Sequence, residues 1–527
     1  IETLIKNRLH AAPQFIDRLE LEAILEGHNG CVNCIEWSET GQLLASVSDD
    51  QHLMIWDPFK HRRLVDVSTP HHNNIFSVKF LPQSQDSKLA TGAGDTNVYI
   101  FDINKTTEPI WSCHCHRSRI KRLTTAPENP HMLWSSAEDG TQISRDTEVK
   151  CVAINPRRPE LLAVGCNDPY ARIYDRRKLS LRNTVREEDL ENTRTIESDE
   201  ENIPKNCVTY FCPGHFKKHL QSGTKNLHKA ITYLAFSPNG TELLVNMGTE
   251  QIYLYDVIDA KEPVFFELPA YNQQRNETAT KRKNEKYLQA ITQFTAAIEL
   301  MGDQSILYLN RATAYMRRNW SGDVYAALRD CKRALELDPQ YVKAHFRLAR
   351  ALLELGYTAD DSGVKMLMKD ITSAMESEKT DSTDRIMLKL TEKEIALRSE
   401  AKDYKEWFVG HCNTTTDIKE ANFFGSDGKY IVAGSDDGHF FIWERPSNMI
   451  TSIYKADMTI VNCVQPHPFI CLMATSGLDN EIRLWSPQAE DDSLAKYRVH
   501  YFDNAVSSNQ TRMQTETFET YPICRAS

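Results

Sequence analysis

Apolar positions along the 527-residue chain follow two patterns. Through most of it they come in short runs of Val, Ile, Phe and Leu, each closed by a turn of Asp, Gly or Asn. Runs of this kind predict strands and tight turns. They gather into blocks with similar endings. "GHNGCVNCIEW…LLASVSDDQHLMIWD" closes on Trp56-Asp57 and "HHNNIFSVKF…KLATGAGDTNVYIFD" on Phe101-Asp102. "SRIKRLTTAPENPHMLWSSAEDGTQISRD" follows, then "VKCVAINPRRPELLAVGCNDPYARIYD", ending at Tyr174-Asp175, and "ITYLAFSPNGTELLVNMGTEQIYLYD", ending at Tyr255-Asp256. After an interruption, "GHCNTTTDIKEANFFGSDGKYIVAGSDDGHFFIWE" reaches Trp443 and "TIVNCVQPHPFICLMATSGLDNEIRLW" reaches Trp485.

The interruption, from about Tyr271 to Lys402, has a helical period. "YLQAITQFTAAIEL" sets Tyr287, Ala290, Ile291, Phe294, Ala297 and Ile298 on one face. The residues before it, 272–286, are almost wholly polar, where a packed helix would carry apolar positions. At Asp146 only four residues separate one block from "CVAINP" of the next, too few for an outer strand and its connections. Both places read as loops removed and ends joined, so motifs spanning 145–150 and 270–285 carry no weight.

Strand blocks recurring about every 40–45 residues with Gly-His and Trp-Asp marks resemble the WD-repeat β-propeller. Seven blocks imply seven blades. The helical stretch resembles tetratricopeptide repeats through Tyr308, Ala312, Tyr315, Ala327, Ala334 and Pro339. The expected fold is therefore mainly β with an α insertion: a seven-bladed propeller carrying a tetratricopeptide array between blades five and six. The expected boundaries are a helix-loop-helix at 1–18, blades one to five at 19–269 with a long insertion at 178–229, the helical array at 270–402, blades six and seven at 403–487, and a tail at 488–527. Leu19–Glu26 should pair beside Glu481–Trp485 and close the ring, leaving no unpaired edge.

Cys31-x-x-Cys34, beside His28, could be half a metal site or a redox dithiol. On a strand the two thiols would point to opposite faces, which separates them. His28 resembles the structural histidine of a WD blade, bonded near Ser46 or Ser48, Asp50 and Trp56; His411, Ser435, Asp437 and Trp443 repeat the set. These residues read as architecture.

Lys343 and Arg347, four apart, share a helix face. Asn310 and Arg347 occupy equivalent places on successive first helices of the repeat. Asn310, Lys343 and Arg347 resemble three members of the carboxylate clamp that holds acidic C-terminal peptides in co-chaperones. A solvated basic face is the plainer reading.

The pairing of a propeller with an inserted tetratricopeptide array, together with "HCNTTTDIKEANFFGS" and "KAHFRLARALLELG", is similar to the adipose-type family of WD and tetratricopeptide repeats proteins. The resemblance implies a substrate receptor of a cullin 4 RING ubiquitin ligase, docked on the adaptor DNA-damage-binding protein 1, in nucleus and cytoplasm. In that light "YDRR" offers Tyr174, Asp175 and Arg177 as a Trp-Asp-x-Arg-like docking motif with Tyr for Trp. Arg suits interface anchoring through its planar fork. The other reading pairs Arg177 with Asp175 on the rim. The N-terminal stripe Leu4, Ile5 and Leu9, restarted by Phe15 and Ile16, resembles the helix-loop-helix with which such receptors fill the adaptor's groove. Alternatively it packs on this protein's own propeller. A chaperone- or histone/chromatin-associated scaffold that binds acidic C-termini is the alternative function.

Composition narrows the rest. A net charge of −11 disfavours a nucleic-acid backbone binder. No run approaches a membrane span. Thirteen scattered cysteines suit a reducing compartment. Cys207, Cys212, His215 and His219 have zinc-ligand chemistry, but their spacing is too tight for a finger. No phosphate loop, HExxH or Gly-x-Ser-x-Gly is present. No enzyme, cofactor or metal is expected, and proteins are the expected partners.

Overall fold

Strands of one blade are buried on both faces, which is why their apolar runs lack strict alternation. Leu44–Ser48 and Leu161–Cys166 are buried at every position, whereas the outer strand Arg62–Ser68 is mostly exposed. These strands belong to a computed structural model that describes residues 10–105, 108–139, 148–179, 207–216, 229–261, 284–339, 341–355, 400–488 and 497–515. The chain divides into two units. A propeller unit holds residues 1–212, 227–261 and 404–527, and a helical unit holds 213–226 and 262–403.

Among the described residues the propeller unit holds six four-stranded antiparallel sheets. Blade one runs Val32–Trp37, Leu44–Ser48, His52–Asp57, Arg62–Ser68. Blade two runs Ile75–Phe80, Lys88–Ala93, Val98–Asp102, Trp111–Cys113. Blade three is Val149–Ile154, Leu161–Cys166, Ala171–Asp175, Cys207–Phe211, and blade four is Ile231–Phe236, Glu242–Met247, Ile252–Asp256, Glu406–Phe408. Blade five is Ala421–Phe424, Tyr430–Gly434, His439–Glu444, Met449–Lys455. Blade six joins Val461–Pro466, Met473–Gly477 and Glu481–Pro487 to Leu19–Glu26.

The expectation of seven blades is thus corrected to six. The block expected as the third blade forms a two-stranded hairpin, Ile120–Ala126 with Asn129–Ala137, lodged between the first strands of blades two and three. Among the described residues no further strand lies between Ala137 and Val149. The helical insertion also moves: along the chain it falls between the third and fourth strands of blade four, where Ile252 pairs opposite Phe408. Ring closure pairs the expected strands, from Leu19 opposite Pro487 to Glu26 opposite Glu481.

Near the ring's axis, Arg122 of the hairpin forms a buried ion pair with Glu420. Its guanidinium lies 4.7 Å from the Tyr233 ring centre of blade four and donates to Cys34 Sγ of blade one at 3.7 Å. Glu420 accepts from the Gln465 side chain of blade six at 2.8 Å. Only a position near the axis lets one arginine reach so many blades. Cys34 is accordingly buried, while Cys31 precedes the strand that begins at Val32 instead of lying on it. Cys113 is bonded to Cys115.

Among the described residues two α-helices belong to the propeller unit: the short α1, Pro13–Ile16, and the last described helix, Phe502–Thr515. The helical unit contains α2 (Asn284–Leu300), α3 (Ser305–Arg318), α4 (Asp323–Leu337) and α5 (Val342–Glu354), so Phe502–Thr515 is α6. Consecutive helices pack on one another. Ala312, Ala327, Ala334 and Ala344 are fully buried, because small side chains let the helices approach closely. Bidentate pairs, Arg311 with Asp330 and Arg318 with Asp323, tie α3 to α4.

Candidate functional site

His28 donates from Nδ1 to Asp50 at 2.9 Å, and its Nε2 lies 2.7 Å from Ser46 Oγ. Trp56 Nε1 donates to the same Ser46 oxygen at 2.8 Å. A carboxylate only accepts, so Nδ1 carries the proton, and the Ser46 hydroxyl is left to donate to Nε2. Burial alone would raise the Asp50 carboxyl, yet the His28 bond and the backbone N–H groups outweigh it and bring it to about 2. Two sets that sequence reading missed repeat the arrangement: His71 with Thr91 and Asp95, and His116 with Ser135 and Asp139. The signal lay in a histidine followed 22, 24 or 23 residues later by aspartate, even where Phe101 stands in the place of the tryptophan.

His411 does not repeat the set. It lies 3.2 Å from Asn246 Oδ1, and Trp443 donates to the Val409 carbonyl. Asp437 is engaged by Asn509 of α6 at 2.8 Å, and Ser435 Oγ accepts from the Cys412 backbone. The helix supplies the donor that the imidazole would have provided.

On the docking motif, Tyr174 is buried, and Asp175 caps the turn Arg176–Lys178. Arg177 lays its fork on Asp175, Nε at 2.9 Å and Nη2 at 2.8 Å, and holds that carboxyl down to about 2. Its side chain is still 70% exposed. The adjacent Arg176 turns the other way, stacking over Trp134 at 4.9 Å and pairing with Glu128. Arg177 is therefore a pre-oriented cation at the surface. Ile16, by contrast, is 1% exposed, clustered with Leu19, Phe424, Tyr430 and Tyr454 of this same propeller; Phe15 is half-buried. Leu4, Ile5 and Leu9 lie outside the described residues.

Of the clamp residues, Lys343 and Arg347 line a cavity of about 730 Å³ between α3 and α5. With them stand Thr313, Arg317, Phe346 and Arg350. Asn310 is half-buried on α3 and is not part of that wall. Residues 343, 346, 347 and 350 are spaced one turn apart, which puts them on one face of α5. Arg347 Nη1 donates to the Leu309 carbonyl at 3.1 Å, which fixes the side chain against α3.

Cys207 lies on a strand of blade three and Cys212 is buried just beyond it; His215 packs on Phe216 and Tyr325. His219 lies outside the described residues, and among those described no group of three His, Cys, Asp or Glu could hold a metal. No described helix is long and apolar enough to cross a membrane.

The ring of antiparallel blades with His–Ser–Trp networks defines a WD-repeat protein, and residues 19–57, 404–444 and 450–486 match the model for the WD domain, G-beta repeat. The chain is 38% identical over 623 positions to "WD and tetratricopeptide repeats protein 1" of Homo sapiens, covering 98% of this chain and 91% of that one. It belongs to the family of WD and tetratricopeptide repeats proteins. The matched span exceeds this chain's 527 residues, so the human relative carries residues that this one lacks. "Protein ALTERED SEED GERMINATION 2" of Arabidopsis thaliana is 26% identical, covering 93% of this chain and 89% of its own. "DDB1- and CUL4-associated factor 6" of Homo sapiens is 33% identical over 278 residues, 48% of this chain and 30% of that protein. A WD-repeat propeller with such relatives fits a scaffold or adaptor.

Proposed function

We propose that this protein is a substrate receptor of a cullin 4 RING ubiquitin ligase, working in nucleus and cytoplasm. The propeller unit docks on the adaptor DNA-damage-binding protein 1, and the helical unit recruits the substrate. The observation that carries the reading is the 33% identity to a relative named for association with that adaptor and cullin. Arg177 supports it, as a fork held rigid by Asp175 and open to solvent. An anchor that is ordered before binding loses less entropy on docking. Ile16 drops out of the docking surface because this propeller already covers it.

Affinity for purified adaptor is the test. Arg177→Ala should weaken binding by about 2 kcal/mol, the cost typical of an interface hot spot. Unchanged affinity would remove Arg177 from the interface, and absence of any complex would sink the receptor reading. A scaffold for acidic peptides is favoured by the cationic cavity in the helical unit; such a scaffold would bind peptide and ignore the adaptor.

A further inference from the structure

The helical unit sorts its arginines in two ways. Arg311 and Arg318 are spent on buried aspartates. Arg317, Lys343 and Arg347 face the cavity between α3 and α5, and among the described residues no carboxylate pairs with any of them. Arg350, the fourth cation of the wall, pairs with Glu354 across one helical turn at 3.2 Å. Among the described residues no acidic side chain lines the cavity, and Phe346, 40% exposed, supplies an apolar platform among the cations.

We propose that this cavity binds an acidic peptide segment through its side-chain carboxylates, with an apolar residue of the peptide on Phe346. Only the word substrate for that peptide rests on the receptor reading. Two observations set this site apart from a clamp for a chain's terminal carboxylate. A clamp needs an amide donor converging with two cations on one carboxylate, and Asn310 is absent from the wall. Three of the cations are instead strung along α5: from Lys343 to Arg350 the rise is about 10 Å. That length suits several carboxylates in succession. Charge-assisted bonds to guanidinium forks reward side-chain carboxylates as well as a terminal one.

The test uses the full chain and a fluorescent peptide rich in Glu and Asp with one Leu, read by anisotropy without adaptor. Three forms are compared: amidated C-terminus, free C-terminus, and a Gln/Asn version. The amidated and free acidic peptides should bind alike, within about twofold, and the Gln/Asn peptide at least about tenfold more weakly. Arg317→Glu and Arg350→Glu should each weaken the acidic peptide at least about fivefold. Both side chains are exposed, so unfolding is avoided, and an unchanged melting temperature verifies it. Binding confined to the free C-terminus, equal binding of the neutral peptide, or no binding at all would each overturn the proposal. Adaptor affinity should be untouched by Arg317→Glu, so the two readings fail separately.

Discussion

Asn509 of α6 donates its side-chain amide to Asp437 at 2.8 Å and to the Gly410 carbonyl at 3.0 Å. In blades one and two the equivalent aspartates, Asp50 and Asp95, hold a histidine. Blade five is thus completed by a helix far along the chain, and Val506 of that helix is fully buried beside Gly410. Asn509→Ala leaves a buried carbonyl and a carboxylate short of donors, so it should cost about 1–3 kcal/mol. Thermal unfolding measures the loss, and hydrogen exchange should rise first around Gly410 to Asp437.

His411, displaced from Asp437, is pushed down from 6.5 to about 4 by burial, with Asp436 opposing. The folded state therefore keeps the ring neutral, while the unfolded chain takes up a proton below 6.5. The stability this contributes is complete above that value and shrinks as pH falls toward 4, by up to about 3 kcal/mol. Urea midpoints measured between about pH 7 and 4.5 should show the slope, and His411→Gln should flatten it.

Ile16 should behave as a core residue. Ile16→Ala ought to cost about 2–4 kcal/mol of stability, the usual penalty for emptying a packed site. Adaptor affinity, measured below the melting temperature, should stay at the wild-type value. A loss of affinity without a loss of stability would put Ile16 at an interface after all.

Arg122 and Glu420 should show strong coupling. Either one alone, as Arg122→Leu or Glu420→Leu, leaves an unpaired charge at the axis and should cost about 3–5 kcal/mol. The double variant should cost less than the sum, because no charge is left stranded. Chemical denaturation of the four proteins gives the coupling; simple additivity would mean that water already solvates the pair.

The strands, the closing partner of Leu19–Glu26, the His28 network and the helical insertion were all legible, since each leaves a local period or a fixed spacing. The blade count was not. A block such as "SRIKRLTTAPENPHMLWSSAEDGTQISRD" carries the same local signals as a whole blade, yet only two strands of it stand among the described residues. His411 misled because its spacing matches His28, while its competitor, Asn509, sits almost a hundred residues away. The cavity was half legible: the period of α5 gave Lys343 and Arg347, but Arg317 joins them only through the packing of α3.

Because Leu19–Glu26 is hydrogen-bonded to Glu481–Pro487, the first strand described leaves the ribosome long before its neighbour has been translated. Until then its backbone groups and apolar face have no resident mate, and loop closure over nearly the whole polypeptide must come last. Nascent chains of this protein should therefore be customers of holding chaperones throughout synthesis, released only when the final blade is made.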